Sequence, residues 1–218
     1  MFPWVRWEQV AIPITLGGWG VKNVFLFSKS LVGKGVWRFL STSILWTRVV
    51  HKKYIAPLSI MDWVRSDDKR RVGSSIIWKV VTQAFDLIEN GLAWRIRDGH
   101  RFLVVVDPWS GSGRDHLLSD AIRAFLANGG ITFLYQIQDP LITYVSCQGW
   151  VREDMLGIPK ILFYEWNRYL RGLKLDHIRL IAQKDELIWD LHPTGIYTPK
   201  VGYVQLNLDQ LNGEVAWW

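Results

Sequence analysis

Glycine-rich stretches that could cradle a phosphate are the first places to look for chemistry in this sequence. A phosphate loop requires Gly-x4-Gly-Lys-Ser/Thr, and the nearest match, at Gly33-Lys34, has Ser28 in place of the first glycine and Gly35 in place of the hydroxyl residue. Gly18 and Gly20 begin a dinucleotide fingerprint, but Asn23 occupies the position of its third glycine. Neither stretch is therefore predicted to bind a nucleotide.

Residues that could act as metal ligands, acids or nucleophiles are also poorly placed. No two of the five histidines are three or four residues apart, and Cys147 is the only cysteine, so neither a local histidine pair nor a cysteine zinc cluster is predicted. The one Asp-Asp pair, Asp67-Asp68, lies among basic residues in a segment typical of a solvated turn. Ser110–Gly113 lacks the strand-to-helix elbow of a serine nucleophile. We expect no metal, no cofactor and no catalytic activity.

The positive candidate for function is a series of basic residues interleaved with aromatic ones. Phosphates attract cations and unpaired bases stack on aromatic rings, so this pattern favours nucleic acid, as do the net charge of +6 and the pI of about 9.5. The alternative is a helical pair with a solvated basic face and an aromatic core. The series comprises Lys29, Lys34, Arg38, Arg48, Lys52 and Lys53, with Trp37, Trp46 and Tyr54 between them.

The elements that would carry these residues are helices in the first part of the chain. Residues 17–23, rich in glycine, predict a tight turn, after which Asn23 caps a helix running to Leu40. We expect Ser43 to cap a second helix over 44–54, which Pro57 ends, and 57–73 to be a polar connector. Ser74 or Ser75 would cap a third helix that Asn90-Gly91 closes. Its predicted apolar face comprises Ile77, Val80, Val81, Ala84 and Ile88.

A β-hairpin is predicted after the third helix. Residues 93–97 alternate between apolar and basic, Asp98-Gly99 provides a turn, and 102–106 return as a second strand. We expect a short helix over 119–128, extended pieces and loop over 131–157, a strand over 187–189, and a last short helix from Pro199 to Tyr203. A further helix after Pro159 would bury Ile158, Leu162, Trp166, Tyr169, Leu170 and Leu173. The fold class is α+β, mainly helical, with a helical bundle followed by a β-hairpin and further helices.

Composition limits the class of protein. Hydrophobic residues make up 49% of the 218 residues, charged residues 21%, and there are 14 tryptophans, a globular balance with unusually many large amphipathic side chains. The N-terminus lacks the pattern of a secretory signal, and no apolar run is long enough to cross a membrane. With its single cysteine, the chain fits a reducing intracellular location, in the nucleus or cytoplasm.

The order of several short motifs resembles plant LINE-type (non-LTR) retrotransposon reverse transcriptases. The resemblance covers nearly the whole chain, from about Trp7 to Tyr203, and rests on the order and spacing of the motifs together. The motifs are Trp7-Glu8, Pro13, residues 17–23, Phe27, Lys29-Ser30-Leu31, Lys34, Trp37-Arg38, Leu45-Trp46, Val49, Lys53-Tyr54, Ile77-Trp78, residues 91–96, Asp98-Gly99, Asp107-Pro108-Trp109, Gly149-Trp150, Glu165-Trp166, Trp189, residues 193–200 and Tyr203.

The resemblance implies a division of the chain and a class of partner. Residues 1–56 correspond to a thumb-like helical segment, 57–73 to a charged connector, 74–175 to a connection region, and 176–218 to the start of the zinc-binding reverse transcriptase region. The parent family binds RNA and DNA, which implies phosphate contacts by the cations of the thumb-like segment. These cations are Lys22, Lys29, Lys34, Arg38, Lys52 and Lys53.

This sequence also departs from the family pattern. It lacks the aromatic-x-Asp-Asp hairpin of the polymerase centre, the cysteine/histidine cluster and the RNase H carboxylates, and Val106 replaces the acidic residue that usually precedes Asp-Pro-Trp. We therefore expect a non-catalytic fragment with residual nucleic-acid backbone binding at most. The alternatives are a stand-alone protein-interaction module that uses exposed tryptophans, and a fragment that does not fold alone.

Overall fold

Helices dominate the structure, which confirms the predicted α+β, mainly helical class. The computed structural model describes residues 10, 11, 14, 17, 19–66, 75–113, 116–139 and 149–215, with side chains up to residue 210. The helices are α1 Val24–Ser41, α2 Leu45–Val50, α3 Ile60–Arg65, α4 Ile76–Glu89, α5 Asp120–Asn128, α6 Glu153–Leu156, α7 Phe163–Leu175 and α8 Pro199–Val215, and the strands are β1 Leu92–Arg95 and β2 Glu186–Trp189.

The chain divides into two units, the first comprising residues up to Gly91 together with those from Leu191 onward, and the second Leu92–Asp190. In the first unit α1 packs against both α4 and α8. The predicted start of α1 is confirmed: the side chain of Asn23 accepts hydrogen bonds from Phe25 N and Leu26 N. Before the cap, Gly17 and Gly20 have φ values of +86° and +74°, which explains the need for glycine. Gly18 lies outside the described ranges.

The contact between α1 and α8 is organised around Tyr197, which is fully buried. Its hydroxyl donates to Ser30 O at 3.1 Å. A Cβ atom added at Gly33 would lie 2.6 Å from this hydroxyl oxygen, and one added at Gly202 only 1.9 Å from it. Both glycines therefore leave the space that the tyrosine ring needs. α8 continues to Val215, so the prediction of a short helix ending at Tyr203 is wrong.

The remaining core of the first unit is a cluster of aromatic rings. Phe39 of α1 contacts Trp63 and Trp78 edge-on at 6.1 and 6.5 Å between ring centroids, and Trp63 also contacts Phe85 at 5.0 Å. Trp63 belongs to α3, so residues 57–66 contain a helix and the prediction of a plain connector is wrong there. Ser59 caps α3 by accepting from Asp62 N. The acidic centre of the predicted connector, Asp67-Asp68, lies outside the described ranges.

Two further details of these helices differ from the predictions. α2 begins at Leu45, and its N-cap position is Ile44, where the backbone is extended, so the predicted cap Ser43 is wrong. After Val50 the helix continues as a π-helical turn, His51–Ile55. Ser75 caps α4 as one of the two predicted candidates. The predicted apolar face of α4 is wrong at Ile77 and Val80, which are 74% and 39% exposed, whereas Ile88 of that face is buried. Packing on the aromatic cluster instead buries Trp78, Thr82 and Phe85 together with Ile88.

The second unit contains the sheet, and its pairing corrects the predicted hairpin. β1 pairs antiparallel with β2, Leu92 opposite Trp189, instead of with residues 102–106. The buried carboxylate of Asp185 accepts hydrogen bonds from the backbone N–H groups of Arg97, Gly99 and Arg101, at 2.7, 3.0 and 2.9 Å. Because these donors face a carboxylate, they are not available to a hairpin ladder.

The helices of the second unit pack around tryptophans. α5 begins after Ser119 and ends at Gly129, as predicted. A 3-10 turn over Lys160–Leu162 leads into α7. The predicted apolar face of this region is confirmed, since Ile158, Leu162, Trp166, Tyr169, Leu170 and Leu173 are all buried. The stretch between α5 and the 3-10 turn before α7 contains another 3-10 turn, Leu134–Ile137, and α6. It also forms two single β-bridges, Phe133 with Leu103 and Gln138 with Trp150. Residues 140–148 of this stretch, including Cys147, are not described.

Candidate nucleic-acid interface

Two lysines flank the start of α1, and each ammonium lies over an aromatic ring. Lys22 Nζ is 4.9 Å from the centroid of the Phe27 ring, and Lys29 Nζ is 4.7 Å from that of Phe25. Both lysines are exposed. A cation over a ring keeps its hydration on the outer side, so these contacts orient the charges without neutralising them.

Lys34 and Arg38 lie one turn apart on α1 and differ in their surroundings. Lys34 is half-buried, and its Nζ donates to the backbone oxygen of Tyr197 at 3.1 Å. Arg38 is exposed. A phosphate could reach Arg38 directly, whereas contact with Lys34 would require the ammonium to share or leave its bond to Tyr197.

Lys52 and Lys53 lie on the π-helical turn that follows α2, and both are exposed. Lys53 Nζ lies 5.2 Å from the centroid of the Tyr54 ring, which in turn stacks on Trp78 at 4.7 Å with an 8° angle between the planes. Hydrogen bonding with Ser75 is the main cause of a lowered pKa for Tyr54; burial opposes it, and Lys53 adds to it. Exposed Arg48, one turn earlier on α2, adds a cation to this end of the first unit.

Helix geometry separates these cations into groups. Lys29 and Arg38 are nine residues apart, which corresponds to two and a half turns, so they point to opposite sides of α1 and are offset by about 13 Å along its axis. Lys29 lines a cavity of about 800 Å³, together with α4 and α8, which was not predicted from the sequence. The carboxylates of Asp86 and Asp209 line the same cavity. Arg38 does not, so the six cations form no single continuous patch.

Unneutralised charge is the property that the six residues share. Among the residues the structure describes, no carboxylate oxygen lies within 4.0 Å of any of their charged groups. Arginines elsewhere in the chain do have such partners: Arg95 pairs with Glu186 at 3.0 Å, and Arg123 with Asp120 at 3.4 Å. The first unit therefore presents cations that remain available to an external anion.

The described residues include few groupings of metal-ligating or nucleophilic side chains. They contain no group of three or more histidine, cysteine or acidic side chains that could hold a metal ion. Ser112 Oγ lies 3.2 Å from His116 Nδ1, but Ser112 is only 4% exposed, so a substrate would not reach its hydroxyl. Within the same described part of the chain, no helix combines the length and apolar character needed to cross a bilayer.

Comparison with protein-family models, with curated proteins and with solved structures finds no significant match to this chain.

Proposed function

We propose that this chain is a non-catalytic relative of a LINE-type reverse transcriptase segment that binds the nucleic-acid backbone through the first unit. The observation that carries the proposal is the set of exposed cations with no carboxylate partner among the described residues. This set comprises Lys22, Lys29, Arg38, Lys52 and Lys53. Lys34 can contact a phosphate only when its ammonium binds the phosphate as well as, or instead of, the backbone oxygen of Tyr197. A nucleic-acid partner is consistent with a nuclear or cytoplasmic location.

Contacts of this kind recognise charge and not sequence. Each phosphate that a cation neutralises releases counterions, so log K falls linearly with log salt, with a slope of about −0.9 per contact on duplex DNA. Backbone contacts also leave the base edges unread, so affinity should be the same for unrelated sequences of equal length.

The test compares two triple variants that remove the same charge. Arg38→Gln, Lys52→Gln and Lys53→Gln together should reduce the salt slope for a labelled 20-base-pair duplex by about 2 to 3. The matched control, Arg123→Gln, Arg152→Gln and Lys160→Gln, removes three exposed cations of the second unit. Fluorescence anisotropy between 50 and 200 mM salt gives both slopes. Equal slopes for the two triple variants would refute the assignment to the first unit.

Absence of catalysis is tested separately. A primer–template extension assay with Mg²⁺ should give no product, because a polymerase needs carboxylates that fix two metal ions and the sequence lacks the family's aspartate hairpin. Primer extension by the highly purified protein, absent from a control reaction without the protein, would overturn the non-catalytic assignment.

A second candidate function is protein–protein interaction through an open apolar groove on the first unit. The groove is lined by Ile44, Leu45, Trp46, Val49 and Val50. Among the described tryptophans only Trp46 and Trp19 are exposed, so Trp46 is the one available to anchor a partner in this groove. Light scattering after size-exclusion chromatography discriminates the candidates: a stable homo-oligomer that ignores nucleic acid, and that Trp46→Ala dissociates, would favour interaction.

A further inference from the structure

A ladder of three aromatic rings stands on the surface of the second unit. The His100 ring stacks on Tyr135 with centroids 4.1 Å apart and a 7° angle between the planes. On the same tyrosine, Phe133 packs at 6.3 Å and 21°. The side chain of His100 is 61% exposed and Tyr135 is 40% exposed, so the ladder meets solvent at its histidine end.

Backbone hydrogen bonds fix the loop that carries His100. The carboxylate of Asp185 binds the N–H groups of Arg97, Gly99 and Arg101 on either side of it. The imidazole is oriented by a 3.1 Å contact between its Nδ1 atom and the backbone oxygen of Asp98. The ring is therefore held in place with one face on Tyr135, and 61% of its side chain remains exposed.

The two other rings are fixed just as firmly. Gln136 Oε1 accepts from the N–H groups of Thr132 and Phe133, both at 2.7 Å, and its amide nitrogen donates to Gly130 O. Tyr135 N donates to Gly99 O at 3.2 Å, which ties this turn to the loop of His100. A Cβ atom at Gly99 would lie 2.9 Å from Tyr135 N, so glycine is required for this approach.

Two arginines close to His100 in sequence add positive charge, which favours an anionic strand. Arg101 is exposed, with its guanidinium 5.4 Å from the centroid of the Trp94 ring, and Arg97 donates to the side-chain oxygen of Gln183 at 2.8 Å. The carboxylate of Asp98, which lies 3.7 Å from His100 Nδ1, accepts from His100 N at 3.1 Å. It is thus engaged with its own loop, and the two arginines flank it in sequence.

We propose that the ladder of His100, Tyr135 and Phe133 binds unpaired nucleobases by stacking, with the first base on the exposed face of His100. Pre-positioned aromatic rings beside cations are the features that bind single strands, and each stacked base contributes about five- to a hundredfold in affinity. The site recognises π faces and backbone charge, which RNA and DNA single strands share. It lies on a different unit from the duplex-binding cations and does not depend on them.

The experiment separates stacking from charge by means of an abasic probe. Wild-type protein should bind labelled dT12 about tenfold or more tightly than a 12-mer of abasic sites, which has the same phosphates and no bases. An rU12 probe establishes whether RNA is accepted equally. Equal affinity for dT12 and the abasic strand would overturn the proposal.

Three variants place the effect on the ladder. His100→Ala should weaken dT12 binding about tenfold, and His100→Phe should restore it, because phenylalanine offers a face of similar size. Tyr164→Ala removes a tyrosine of α7 that is 78% exposed and outside the ladder, so it should leave binding unchanged. Circular dichroism melting confirms that each variant folds. If His100→Ala binds dT12 as wild type does, the ladder is not the site.

The result also stands apart from the function proposed for the first unit. His100→Ala should not change duplex affinity or its salt slope, whereas the triple variant Arg38→Gln, Lys52→Gln and Lys53→Gln should change both. A wild-type protein that binds duplex but shows no preference for the base-containing strand over the abasic strand would refute the ladder alone. A base preference in a protein that binds no duplex would refute only the cation proposal, and the absence of binding to every probe would refute both.

Discussion

Asp185 is predicted to be the residue on which the second unit most depends. Its carboxylate is 2% exposed and accepts three backbone hydrogen bonds, from Arg97, Gly99 and Arg101. The Gly99 N–H is buried and would have no acceptor in an Asp185→Ala variant, and a buried orphan donor costs about 1–3 kcal/mol. The other two amides lie nearer to solvent and would regain water.

The magnitude follows from these three bonds. Hydrogen bonds to a charged group contribute about 1.5–3 kcal/mol each, but rehydration of two donors and relief of the buried charge offset part of the loss. We expect Asp185→Ala to lower the free energy of unfolding by about 3–5 kcal/mol, a large part of the 5–15 kcal/mol typical of a domain. The loss should move the urea midpoint of the second unit by about 2 M.

Urea titration followed by tryptophan fluorescence measures the loss, and hydrogen exchange locates it. The amides of residues 97–101 should exchange faster in Asp185→Ala than in wild type. Asp154→Ala is the control, because that exposed carboxylate only meets Arg152 at 3.9 Å and should change stability by less than about 1 kcal/mol. If Asp185→Ala and Asp154→Ala prove equally stable, the carboxylate does not hold this loop.

The remaining predictions concern Tyr197 in the first unit. Gly33→Ala should destabilise the protein by about 1–3 kcal/mol, because the new Cβ would meet the tyrosine hydroxyl. Gly35→Ala has open space around its Cβ position and should stabilise the protein by up to about 1 kcal/mol. Thermal melts that rank the two variants the other way would contradict this packing. Burial raises the pKa of Tyr197 above its ordinary value of 10.0, so the folded state keeps its proton where the unfolded state loses it. The contribution of Tyr197 to the free energy of unfolding is complete below about pH 10 and declines above it, by at most about 1.4 kcal/mol per pH unit. The urea midpoint of Tyr197→Phe should therefore change less between pH 9 and 11 than that of wild type. An equal change in the two proteins would count against the burial of Tyr197.

Local signals in the sequence were sufficient to place most helices. Asn23 and Ser119 mark the starts of α1 and α5, and the 3.6-residue period gives the buried face of α7. The same period misidentified the face of α4, because that helix has apolar residues on two sides. The choice between them depends on Trp63, which lies on α3 and was assigned to a connector, although Ser59 and Asp62 carry a capping signal.

Contacts between residues far apart in the sequence could not be predicted from local sequence patterns. Asp98-Gly99 has the composition of a hairpin turn, yet the pairing partner of β1 lies some ninety residues further along the chain, brought there by Asp185. The ladder is a second example, since His100 and Tyr135 are separated by α5 in sequence and the bond from Tyr135 N to Gly99 O helps to bring them together. Exposure of the cations was predictable from charge alone, whereas the bond of Lys34 to Tyr197 required knowledge of how α8 returns to α1.

Tryptophan and cations suggested two rival functions, and the structure separates their roles. Most of the described tryptophans lie in the two cores, which leaves Trp46 as the main support for a protein-interaction surface. The cations of the first unit remain exposed, and the aromatic rings most open to stacking form the ladder of the second unit. In the two proposals, these surfaces contact different parts of a nucleic acid, its phosphates and its bases. If the protein binds base-containing strands more tightly than abasic ones, and binds duplexes in a salt-dependent manner, then both surfaces contact nucleic acid. Neither result is expected if the function of the chain is to bind a partner protein through the apolar groove at Trp46.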